Sequence, residues 1–128
     1  MNTVDYVKNA LVTESCDMGP ILERLQNKET VRMLHAVIGL ETEVGELQDA
    51  LKKHIFYGKP LDKVNLAEEI GDQLWYCAIL LDVLGTSFEK VMETNIAKLR
   101  ARYGEKFTEA AALKRDLKTE RKILEGGK

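Results

Sequence analysis

Apolar residues recur at Met33, Val37, Leu40, Val44, Leu47 and Leu51, in alternating steps of four and three. That spacing follows the helical period and draws one stripe along a long helix. A strand cannot carry it, because strand side chains alternate with period two. A second stripe, Leu66, Ile70, Leu74, Cys77, Leu81 and Leu84, has the same character. Stripes of this kind bury themselves against other helices in bundle-type packing. No segment alternates with period two over strand length, and only Pro20 and Pro60 interrupt the chain. The expected fold class is therefore all-α, an antiparallel helical bundle with a four-helix-type core and extra terminal helices.

Local signals place the helix ends. A short helix is expected from Val4 to about Glu14, with Val4, Val7 and Leu11 on one side, followed by a loop over Cys16 to Gly19. Pro20 suits the first turn of a second short helix reaching about Gln26. The first long helix is expected from Lys28 to His54, with Gly58 and Pro60 preventing its continuation. Asp62 is a good N-cap for the second, with Leu61 and Leu66 at the positions of a hydrophobic staple and Gly85 at its end. Thr86 with Glu89 reads as a capping box for a third helix to about Tyr103, which Gly104 stops. Thr108 can cap a last helix over about 108–125, whose thin apolar side holds Ala110, Leu113, Leu117 and Leu124. The final Glu-Gly-Gly-Lys should fray. The 128 residues are read as one domain, with its core over about 28–107.

Composition narrows the function. A net charge of −2 provides no global basic field, which argues against a nucleic-acid polymer as partner. No apolar run approaches the ~20 residues of a membrane span, and no leader pattern opens the chain. Cys16 and Cys77 stand far apart without a Cys-x-x-Cys, which fits reduced thiols in a cytoplasmic compartment.

The chemistry-bearing residues border the apolar stripes. Glu43 and Glu46 are three residues apart beside Leu40, Val44 and Leu47, so they share a helix face. Ala36, Gly39 and Ala50 lie on the same strip and would leave a shallow groove there. Glu69 and Asp72 repeat the spacing beside Ile70 and Leu74. Two long helices joined by a short turn lie antiparallel, which lets one acidic pair face the other. Carboxylates that close repel one another unless cations neutralise them, and all-oxygen donors favour Mg²⁺, Mn²⁺ or Ca²⁺ over zinc. Spacing alone leaves two readings open, a metal site and a pair of solvated acidic faces. Asn95, Lys98 and Arg102 form a strip on the third helix that suits a polyphosphate or, equally, a basic helix end.

The segments Gly39-Leu-Glu-Thr-Glu43-Val-Gly-Glu46-Leu and Glu68-Glu69-Ile-Gly-Asp72-Gln-Leu-Trp75-Tyr76, with 22 residues between Glu46 and Glu69, resemble the MazG-like all-α nucleoside triphosphate pyrophosphohydrolases. Asn95-Ile-Ala-Lys98-Leu-Arg-Ala-Arg102-Tyr103 is similar to that family's downstream Asn-x-x-Lys-Leu-x-x-Arg-Tyr segment. The resemblance spans Leu34 to Phe107 and implies a MazG-like bundle. It also implies Mg²⁺, with Mn²⁺ as substitute, held by Glu43, Glu46, Glu69 and Asp72. The implied reaction converts a (deoxy)nucleoside triphosphate to monophosphate and pyrophosphate, with Glu43 or Glu46 as catalytic base.

Asn95, Lys98 and Arg102 carry over as nucleotide or phosphate contacts. Tyr76, one turn past Asp72, is placed to meet base or sugar, and Trp75 reads as a core or subunit contact. Lys53 and His35 lie near the acidic strip as further substrate candidates. The chain departs from the family where Thr42 replaces the first glutamate of a Glu-Glu-x-x-Glu form, and Glu41 faces away. That leaves the metal count and the base open. Other readings of the same residues are an all-α dUTPase-type enzyme of narrower range and a non-catalytic oligomerisation or regulatory module. Ferritin-like di-iron chemistry is disfavoured, because neither His35 nor His54 sits three residues after a glutamate. A shallow groove and a thin last helix point to a homodimer or homotetramer, with partner residues completing each pocket.

Overall fold

In the computed structural model, which describes residues 2–126, the second stripe of apolar residues lies on a helix that folds back along the first. The described chain is all-α, with helices α1 (Thr3–Leu11), α2 (Met18–Leu25), α3 (Lys28–Tyr57), α4 (Lys63–Val83), α5 (Phe88–Tyr103), α6 (Glu109–Leu113) and α7 (Leu117–Leu124). No strand occurs among the described residues, and none of their helices is long and apolar enough to cross a membrane.

The α3–α4 hairpin dominates the packing, and its register can be read from paired residues. Arg32 bonds Asp82 at 2.5 Å, near the open end. Further along, Gly39 lies against Tyr76, and Glu43 reaches Glu69 and Asp72. The first helix advances while the second retreats, so Glu43 comes level with Glu69 and Asp72. α3 runs three residues past the expected His54 and ends at Gly58, whose φ of 65° is the left-handed cap conformation. The His54 imidazole Nδ1 donates to the Lys59 carbonyl at 2.8 Å and braces the turn. Asp62 then caps α4 by accepting from the Val64 and Asn65 backbone N–H groups.

Three local expectations are corrected. α2 begins at Met18, inside the stretch read as a loop, with Asp17 at its N-cap position. α5 is capped by Ser87, not by a Thr86/Glu89 box: Ser87 Oγ accepts from Lys90 N at 3.3 Å, while the Thr86 N–H goes back to the Leu81 carbonyl. The single last helix is two helices. Asp116 accepts from the Lys118 and Thr119 N–H groups, both at 3.1 Å, and its other oxygen accepts from the Thr119 hydroxyl at 2.7 Å. That cap starts a new helix and turns α7 back onto α5. The fraying expected at Gly127 and Lys128 lies outside the described residues.

The core is thin. Ala36 is the one fully buried apolar side chain among the described residues, while stripe residues Val37, Ile70 and Leu74 keep 52–54% of their surface exposed. A folded monomer of this size exposes about 7000 Å², and this chain exposes 10679 Å². The helical hairpin therefore leaves much of its apolar stripe without a partner in its own chain.

Candidate active site

Glu43, Glu69 and Asp72 converge at the α3–α4 interface, each offering a carboxylate oxygen within 4.8 Å of the others. Glu69 is buried, with 5% of its surface exposed; Glu43 is half-buried and Asp72 exposed. Burial raises the Glu43 carboxyl above the usual carboxylate range, aided by a hydrogen bond with Glu69 and by the charges of Glu46, Asp72 and Glu69. Negative charge on Glu43 is thus disfavoured by its surroundings. Among the described residues no lysine, arginine or histidine ion-pairs with any of these three carboxylates. Glu69 is instead held by Asn65, whose amide donates to Oε1 at 2.6 Å.

Glu46 lies outside this cluster. Three residues turn a helix by about −60° and advance it by roughly 4.5 Å, which carries Glu46 to the side facing the α3–α4 turn. There it lines a cavity of about 560 Å³ together with Thr42, Asp49, Lys53, Lys59 and Asn65. Ala50 lines the same cavity, so the small-residue strip is open at this end. At its other end the strip is filled, because the Tyr76 ring sits against Gly39. Lys53 bonds Asp49 at 2.5 Å, which raises the Lys53 ammonium and lowers the Asp49 carboxyl. Thr42 turns its hydroxyl onto the Gly39 carbonyl at 2.7 Å.

The aromatic candidates form one group. His35 meets Trp75 and Tyr76 edge-on, with centroids 6.4 Å and 5.8 Å apart, and Trp75 meets Tyr76 at 4.9 Å. His35 and Tyr76 thus pack with each other across the hairpin. The α5 strip is elsewhere: α5 packs on α7 and α6 rather than along α3 or α4. Asn95 and Lys98 line a cavity of about 510 Å³ with Thr86, Lys90 and Leu124. Arg102 is committed to Glu120 of α7, donating at 2.7 Å and 2.5 Å, and Arg115 adds a bond to Glu120 at 2.8 Å.

Sequence reasoning missed two of these residues. Asn65 had a readable signal, lying one turn before Glu69 on the same strip. Glu120 had none, since its arginine partner is 18 positions away on another helix.

The model of the MazG nucleotide pyrophosphohydrolase domain matches residues 30–107, a span holding both acidic pairs and the Asn95/Lys98 strip. No match appears among curated proteins or among solved structures. The match covers more than half of the chain, and with the carboxylate cluster inside it the conclusion is direct: this protein belongs to the MazG nucleotide pyrophosphohydrolase family.

Proposed function

We propose that this chain is a Mg²⁺-dependent hydrolase of (deoxy)nucleoside triphosphates, cutting between the α and β phosphates to yield monophosphate and pyrophosphate. The observation that carries the reading is the cluster of Glu43, Glu69 and Asp72 inside the family segment. All its donors are carboxylate oxygens, the set that suits Mg²⁺ or Mn²⁺ rather than zinc. The raised Glu43 carboxyl also fits, since burial and the neighbouring carboxylates disfavour its charged form and a cation would favour it.

Glu43, Glu69 and Asp72 would hold the ion, with Glu46 beside them. Bound there, a divalent cation supplies charge neutralisation for the polyphosphate and a lowered pKa for water. The chain's own residues do the rest. Glu43 or Glu46 takes a proton from the attacking water as its oxygen bonds to the α phosphorus and the bridging bond to the β phosphate breaks. Asn95 and Lys98 stabilise charge on the departing pyrophosphate, and Lys53 offers a cation beside Glu46.

The same reading includes self-association, with a second copy of this chain covering the exposed stripe of α3 and α4. Obligate dimers bury roughly 2000–5000 Å² over both partners together, and the surface that this chain exposes beyond a folded monomer of its size is more than enough for its share. Since α5 does not pack along the hairpin, the second copy is also the source assigned for the Asn95 and Lys98 that face each carboxylate cluster. The enzyme is read as cytoplasmic, in keeping with its two free cysteines.

The test is direct. Glu69→Gln should abolish Mg²⁺-dependent pyrophosphate release while circular dichroism shows an unchanged helix content. An undiminished rate in that variant would sink the assignment.

A further inference from the structure

Glu69 is a buried carboxylate beside the carboxylates of Glu43 and Asp72, and a neutral side chain donates to it. Asn65, one turn earlier on α4, donates its amide to Glu69 Oε1 at 2.6 Å. A buried anion is costly unless hydrogen-bonded, and a short bond to a charged acceptor is among the stronger kind. Asn65 is itself anchored. Its backbone N–H is bound at 3.1 Å by the Asp62 carboxylate that caps the helix. A chain of contacts thus runs from the helix cap through Asn65 to Glu69, and Asn65 also borders the cavity lined by Glu46 and Lys53.

We infer that Asn65 is the positioning residue of the metal site, holding Glu69 in one orientation beside Glu43 and Asp72. The inference rests on the metal reading proposed above. An amide is the suitable group for this task. It donates without carrying charge, so it orients the carboxylate without neutralising it as a lysine or arginine would. It also cannot replace the cation, which keeps the site dependent on one. Outer partners that orient metal ligands typically contribute about 10–100-fold to metal affinity.

The experiment is a calorimetric titration of Mn²⁺ into the nucleotide-free protein, comparing the unmodified chain with Asn65→Ala, Asn65→Gln and Glu69→Gln. Asn65→Ala should weaken Mn²⁺ binding by about tenfold or more, with helix content close to that of the unmodified protein. Asn65→Gln, whose longer amide still reaches one turn along, should recover part of the loss. If the unmodified protein binds Mn²⁺, Glu69→Gln does not, and Asn65→Ala binds as well as the unmodified protein, the positioning role is overturned while the metal site stands. If the unmodified protein and Glu69→Gln behave alike, the metal reading itself fails and the role of Asn65 falls with it.

Discussion

The Tyr76 ring on α4 occupies the space that a β-carbon on Gly39 of α3 would need. The missing side chain lets the two helices approach just before the level where Glu43 meets Glu69 and Asp72, so the contact sets the spacing of the site.

This predicts opposite signs for one substitution at two glycines of the same helix. Alanine in place of mid-helix glycine gains about 1 kcal/mol of helix propensity. At Gly45, where a β-carbon would meet nothing within 4 Å, Gly45→Ala should raise stability by up to that amount. At Gly39 the methyl collides with the ring, and overpacking costs about 1–3 kcal/mol. Gly39→Ala should therefore lower the urea midpoint, and combining it with Tyr76→Ala should remove the clash. A rise in the midpoint for Gly39→Ala alone would show that the contact does not control the hairpin.

Arg102 and Arg115 hold the Glu120 carboxyl down at about 2, against an ordinary value of 4.5. A carboxyl lowered in the folded state stabilises above its unfolded value and loses that contribution as pH falls toward the folded one. Attachment of α7 to α5 should therefore weaken between about pH 4.5 and 2. Asp49 and Asp116, also lowered, act with the same sign. Unfolding followed across that window should show a shallower pH slope for Glu120→Gln than for the unmodified chain. Equal slopes would mean that Glu120 is not the group responsible.

The separation of the α5 strip from the carboxylates predicts complementation between two inactive variants. Glu69→Gln lacks a working acidic cluster, and Lys98→Ala lacks the phosphate contact. If each site takes Lys98 from a second copy, a mixed two-fold dimer holds one intact site. Co-refolded at equal amounts, the pair should recover about a quarter of the unmodified rate, since half of random dimers are mixed and each has one good site of two. No recovery, with mixed dimers present by mass spectrometry, would place Lys98 in the same chain as its cluster.

Much of the architecture was legible from residue order. The stripe from Met33 to Leu51 and its partner from Leu66 to Leu84 specify two long helices, because periodicity is a property of neighbouring residues along one backbone. Gly58 and Asp62 mark their facing ends for equally local reasons, a left-handed turn and an accepting side chain. The acidic pairs were legible as pairs for the same reason, each being three residues apart on one helix.

What neighbours along the chain could not decide was which side chains meet across it. Register and rotation of α3 against α4 put Glu43 with Glu69 and Asp72, and turned Glu46 toward the cavity at the hairpin's bend. The cap of α5 fell to Ser87 over Thr86 because the turn after α4 ties the Thr86 backbone to Leu81. The reversal at Asp116 brought Glu120 to Arg102 and paired the two. A helix pattern defines which face each residue occupies, whereas contacts between helices depend on how far one slides and rolls against the other. That is set by the summed packing of both surfaces, such as the Tyr76 ring entering the gap at Gly39, and it exists only once the chain has folded.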